Sequence, residues 1–175
     1  MRGCLAALAL TSALLGWMGQ ALAVGERAFA DIKARDGAPL GTLTLVETMA
    51  GVLIAARLKG LPPGPHGIHI HQAGRCEGDF ASAGAIHNPL GASHGFMNPE
   101  GPMVGDLPNI IAGADGEAEA ELLAPFATLS PEAQDSLSDA DGASIVIFAG
   151  ADDHFSDPEG GSGERIACGV ITLQP

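Results

Sequence analysis

The strongest constraint on the fold is a succession of short runs rich in β-branched and apolar residues, each bounded by a turn or a break. Runs 42–46 and 52–58 flank Ala50-Gly51, and 68–71 follows the break Pro62-Pro63-Gly64-Pro65. Further runs at 107–112, 117–123, 143–148 and 166–173 are punctuated by Asp115-Gly116 and Asp141-Gly142. Runs this short carry strand rather than helix propensity, and Asp-Gly pairs favour tight turns. Ser130-Pro131-Glu132 is where one short helical turn is expected, with Ser as N-cap and Pro in the first helical position. Stretches 72–106 and 150–165 lack a regular pattern yet hold most of the polar residues of interest. Long loops on a compact β scaffold are usually functional or disordered. The expectation is an all-β antiparallel sandwich or flattened barrel with two long loops.

Residues 1–23 read differently. Met1-Arg2 precedes an uncharged apolar run at 5–18, which closes on Ala21-Leu22-Ala23. This is the pattern of a secretory signal peptide cleaved after Ala23, and the run is short against the roughly 20 residues of a membrane span. The remaining 24–175 are expected to form one exported domain, periplasmic or secreted, free of the membrane. Lys and Arg number 8 against 21 Asp and Glu, a formal net charge of −13, and no basic patch relieves it, so phosphate backbones would be repelled. Disorder is equally disfavoured, because 46% of the residues are hydrophobic.

Loss of the leader removes Cys4 and leaves Cys76 and Cys168 in an oxidising compartment. A bridge between them would close a loop of more than 90 residues, worth roughly 4–5 kcal/mol in the chain-entropy model. Two buried free thiols are the alternative. The chemistry should lie with the histidines: His66, His69, His71, His87, His94 and His154. His69 and His71 are two apart on an expected strand, so their rings leave the same face and make half of a copper or zinc site. A pair of ordinary surface or core histidines would look the same. His94 and Asp106, in the following loop, offer an imidazole and a carboxylate for a second site.

His66-Gly67-Ile68-His69-Ile70-His71, Ser82-Ala83-Gly84, Asn88-Pro89, His94-Gly95, Val104-Gly105-Asp106-Leu107-Pro108 and Arg165-Ile166-Ala167-Cys168-Gly169-Val170-Ile171 resemble, in order, the copper/zinc superoxide dismutase family, in its bacterial secreted form. The resemblance implies an eight-stranded Greek-key β-barrel with Cys76 and Cys168 as the family disulfide. It also implies copper and superoxide as partners, and pairing as a homodimer through a surface that the sequence does not identify. In the family, four histidines hold copper, one of them bridging to zinc, and two more histidines and an aspartate complete the zinc site. His69 and His71 match two copper ligands, and His94 and Asp106 match a zinc histidine and the zinc aspartate. Asp152 matches the outer aspartate that links the two sites, and Arg165 the residue that guides the anion to copper.

Three ligand positions are not kept. The bridging histidine falls on Ile86, with His87 one residue late as the candidate substitute. The remaining zinc histidine falls on Met103, and the last copper histidine on Phe148. All three replacements are apolar and space-filling, so they can pack into volume that a metal and its ligands would take. The resulting expectation is an exported dismutase-like protein that holds copper weakly through His69 and His71, carries a zinc remnant at His94 and Asp106, and is not an efficient dismutase. Met103 is expected to be packing rather than a thioether ligand, His66 structural, and His154 a solvated loop residue. Two other readings stand beside it. One is an active dismutase whose shifted loop lets His87 bridge, with His154 replacing the fourth copper ligand. The other is a metal-free structural or interaction module.

Overall fold

A computed structural model describes residues 25–175; the signal peptide expected over 1–23 lies outside the described residues. The strands are β1 (Arg27–Ala34), β2 (Pro39–Thr48), β3 (Gly51–Leu58), β4 (Gly64–His66), β5 (Ile68–His71), β6 (Ile110–Ala112), β7 (Ala118–Ala124), β8 (Ser144–Phe148) and β9 (Arg165–Leu173). Seven of them form one sheet in the order β5-β8-β9-β1-β2-β3-β7, with every pairing antiparallel, while β4 pairs with β6. Segment 64–71 joins the two, since β4 reaches β6 and β5 reaches β8 on either side of Gly67. The β6–β7 hairpin, closed by Gly113 N–H donating to Glu117 O at 2.8 Å, leads back to the far edge. The sheet thus curls on itself, and with 64–71 taken as a single stave it has the eight expected.

Two strands were not expected. In β1 only Ala28, Ala30 and Ile32 face inward, and alanine has little strand propensity of its own. Its period of two is nonetheless regular, and β2 and β9 flank it on both sides. Strand β4 falls inside the proline-rich break: Pro65, which has no N–H to donate, sits opposite Ile111 in a three-residue pairing. Conversely, 107–109 stay outside β6. Ser130-Pro131-Glu132 forms a hydrogen-bonded turn, with Ala133 N–H on Ser130 O at 3.2 Å, and not a helix. The one helical turn among the described residues is a 3₁₀ turn at Ala81–Ala83.

Strand β8 positions the site. All five of its residues are buried. Ile145 and Ile147 point into the barrel core beside Ile68, Ile70, Leu43, Leu45 and Ile54. Val146 and Phe148 point outward, into a second apolar cluster with Phe80, Ala83 and Cys168. This outer cluster exists because the 72–84 loop is folded back over the sheet and stapled there by the Cys76–Cys168 disulfide, whose Cα atoms lie 5.8 Å apart. His69 pairs with Val146 and His71 with Ser144, so both histidines share that covered outer face.

Candidate metal centre

Strand alternation places His69 and His71 side by side, with ring centroids 6.3 Å apart and no exposure to solvent. Each ring is oriented by one nitrogen. His69 Nε2 lies 2.9 Å from Asp152 Oδ2, and because a carboxylate only accepts, that nitrogen carries the proton. His71 Nδ1 likewise donates to Gly84 O at 2.9 Å. The lone pairs are therefore left on His69 Nδ1 and His71 Nε2. Both atoms are buried, and neither has a hydrogen-bond partner. Burial, reinforced by the charge of Arg165, lowers the His71 pKa to about 3 against the pull of the Gly84 carbonyl. The ring is thus neutral across the physiological range, as a metal ligand must be.

Copper fits these two nitrogens as far as they go. Imidazole is a good copper donor, and a buried bare nitrogen otherwise goes unsatisfied. The next place around them is filled: the Phe148 ring lies 5.1 Å from that of His69 and stacks at 5.9 Å on that of His71. Ile86 stands opposite His71 in a single bridge pairing, so its side chain brings no nitrogen there. The adjacent His87 is buried as well, but Asp135, Asp139 and Asp141 are the charges it feels, and its Nε2 is unpartnered. Burial lowers its pKa in spite of those carboxylates.

Zinc fits less well. His69, His94 and Asp106 converge, with one ligand atom from each lying within 4.8 Å of the others. His94, however, is held at both ends, with Nδ1 2.7 Å from Asp106 Oδ1 and Nε2 3.0 Å from Asp152 Oδ1. Both nitrogens face acceptors, so both carry protons and the ring is an imidazolium. Burial opposes that charge, but the hydrogen bonds to Asp106 and Asp152 prevail and push the His94 pKa up to about 10. The same network holds Asp152 far below the usual carboxylate range against the effect of its own burial. Asp106 is also engaged by the N–H groups of Gly95 at 2.7 Å and Met103 at 2.9 Å. A zinc ion would have to displace a proton and find two further donors where Ile86 and Met103 stand.

A pH dependence follows for the metal-free protein. The folded-state pKa of His94 is raised from its ordinary 6.5 to about 10. Its contribution to stability is fully present below the lower value and is lost as pH rises through the upper one. The melting temperature should fall across that window by several degrees more in the wild type than in His94→Gln. A thermal melt series checks this, and parallel curves would show that the imidazolium is absent.

The remaining expected residues lie close by. His66 places its ring nitrogens 2.7 Å from the carbonyl oxygens of Phe148 and Pro62, a structural role as anticipated. His154 lies in a loop as expected, but it is half-buried rather than solvated. Its backbone adopts φ 58°, its ring packs 5.3 Å from Phe96, and its Nδ1 lies 3.2 Å from Asp152 Oδ2. Asn109, which gave no sequence signal, clamps the Asp152 backbone with two 2.8 Å hydrogen bonds. Gly160, at φ +62°, is required because a Cβ there would lie 1.7 Å from Asp152 Oδ1. Glu159, also unanticipated, forms a salt bridge with Arg165.

The sequence model described as copper/zinc superoxide dismutase (SODC) matches residues 40–171. The chain is 48% identical over 147 residues to the Cu-Zn superoxide dismutase of Caulobacter vibrioides, covering 82% of this chain and 84% of that one. It is 44% identical over 147 residues to Cu-Zn superoxide dismutase 2 of Aquifex aeolicus, covering 83% and 86%. The crystal structure of a SOD-like protein from Bacillus subtilis is similar to it with a TM-score of 0.80 at 37% identity, covering 82% of this chain and 97% of the other.

Proposed function

The chain belongs to the copper/zinc superoxide dismutase family, and from that premise we propose that it is an exported member that binds copper weakly through His69 Nδ1 and His71 Nε2 and is not an efficient dismutase. The observation that carries this reading is the pair of buried imidazole nitrogens without partners, beside a phenylalanine that occupies the next position around them. Bound copper would supply one-electron chemistry. Productive cycling also needs an anion brought to the metal, a proton delivered and a ligand set that suits both oxidation states. The chain is poor in those provisions. Its first two ligands are fixed in tautomer by Asp152 and Gly84, while Phe148 and Ile86 offer no donor atom. His94, locked between two carboxylates, serves in place of zinc as the strut that orients Asp152 and, through it, His69. The formal net charge of −13 is consistent with attracting a cation.

A dismutase reading has one specific point in its favour, the 48% identity to an enzyme that bears that name. One experiment separates the two. The protein lacking residues 1–23 is loaded with copper and zinc, its metal content is measured, and superoxide consumption is assayed on the same sample. The expected result is readily chelated copper at no more than one per chain, no zinc, and little turnover. His69→Ala with His71→Ala should abolish the copper. Tightly held copper with fast turnover would overturn the proposal and require His87 or His154 as ligands. No metal at all would leave a barrel kept for another surface.

A further inference from the structure

Beside Ile86 and Met103 the surface opens into a cleft of about 540 Å³ that Gln72, Glu159 and Arg165 also line. Arg165 is the chain's counterpart of the family's anion guide, but its donors here are committed. Nη1 donates to Phe80 O and Nη2 to Gly84 O, each at 2.9 Å, and Nη2 also donates to the Glu159 carboxylate. The guanidinium carbon lies 5.9 Å from the centre of the Phe148 ring, and that ring stacks on His71. The Arg165 and Glu159 side chains keep only 17% and 26% of their exposure, so solvent screens this pair less than a surface one. A carboxylate therefore sits where a small anion would have to pair with the arginine, within a molecule of formal net charge −13.

We propose that Glu159 sets the charge selectivity of this cleft: by holding Arg165 it keeps small anions off the guanidinium and leaves a mouth that favours cations. The anion half stands on the salt bridge alone. The cation half rests on the copper reading above, with copper ions as the cation.

The test uses the metal-free protein lacking residues 1–23, with inorganic phosphate as the probe for anions, titrated by phosphorus NMR. Glu159→Gln, which keeps size and removes the charge, should bind phosphate at least about tenfold more tightly than the wild type, the scale of freeing a charge-assisted hydrogen-bond donor. Glu159→Asp should retain the wild-type exclusion, and the gain should vanish in Glu159→Gln with Arg165→Gln. Copper uptake from a weak chelator, followed by the chelator's absorbance, should be about two- to fivefold slower in Glu159→Gln at low ionic strength, the difference fading with added salt. Equal phosphate binding by wild type and Glu159→Gln overturns the proposal, as does a gain that survives replacement of Arg165. Copper uptake that is unchanged or faster in Glu159→Gln overturns the cation half. Failure of the wild type to take up copper would sink the copper reading, while the phosphate titration would still decide the anion half.

Discussion

Replacing Phe148 and Ile86 together by histidine should tighten copper binding by at least about a hundredfold, since even an outer partner of a metal ligand is typically worth 10–100-fold. Phe148 is wholly buried and its ring touches both His69 and His71, so an imidazole at that position has the two existing donors as neighbours. Ile86, paired with His71 across a bridge, approaches them from the neighbouring loop. The substitution carries a cost. Losing the phenylalanine from its cluster with Phe80, Ala83, Val146 and Cys168 removes roughly 1.5–3 kcal/mol of burial and introduces buried polar atoms. The metal-free double variant should therefore melt below the wild type, and copper should restore it by mass action on the native state. Superoxide consumption should rise with copper content. Competitive copper titration and paired melts measure both effects. No gain in affinity would mean that positions 86 and 148 do not face the copper ligands, and the ligand alignment would fall.

Cutting the disulfide should have the second largest effect. Cys76→Ser with Cys168→Ser frees a loop with a sequence separation of 92, worth about 4–5 kcal/mol in the chain-entropy model. Domains of this size are typically stable by about 5–15 kcal/mol, and each kcal/mol shifts the melting temperature by about 2–4 °C, so a fall of about 8–20 °C is expected. The loss extends to the site. The 72–84 loop carries Phe80 O, which anchors Arg165, and Gly84 O, which anchors both Arg165 and His71. Without the staple His71 loses the partner that fixes its tautomer, and copper retention should drop along with stability. Calorimetry of the reduced and oxidised wild type beside the double Ser variant checks the first effect, and copper content the second. Full copper retention in the reduced protein would show that the loop holds its place without the bridge.

Much of this protein could be read in its residues before any contact was known. Strands β2, β3, β5, β7, β8 and β9 follow local runs whose apolar character decides their state, and the two irregular stretches lie where expected. A Cys76–Cys168 bridge was expected over two free thiols and is what the family resemblance implies, and the structure forms it. The common face of His69 and His71 is a consequence of strand geometry alone, and the apolar residues at 86, 103 and 148 were visible as soon as the family pattern was laid on the chain. Strands β1 and β4 were not legible, because alanines and prolines have weak strand signals and it is the flanking partners that make these segments strands.

The electrostatics of the centre belong to the tertiary structure. That His94 is a charged strut depends on Asp106, 12 residues away, and Asp152, 58 residues away, arriving at its two nitrogens together. That Arg165 is paired depends on the 150–164 loop turning back so that Glu159 meets it. The residue types set which side chains can donate, accept or ionise, and local periodicity sets which face they leave. Which donors remain bare and which charges are cancelled is decided by distances between segments remote in sequence. Hydrogen bonds form only at about 3 Å, and Coulomb energies depend on separation in space and on burial, so neither has a counterpart in local pattern.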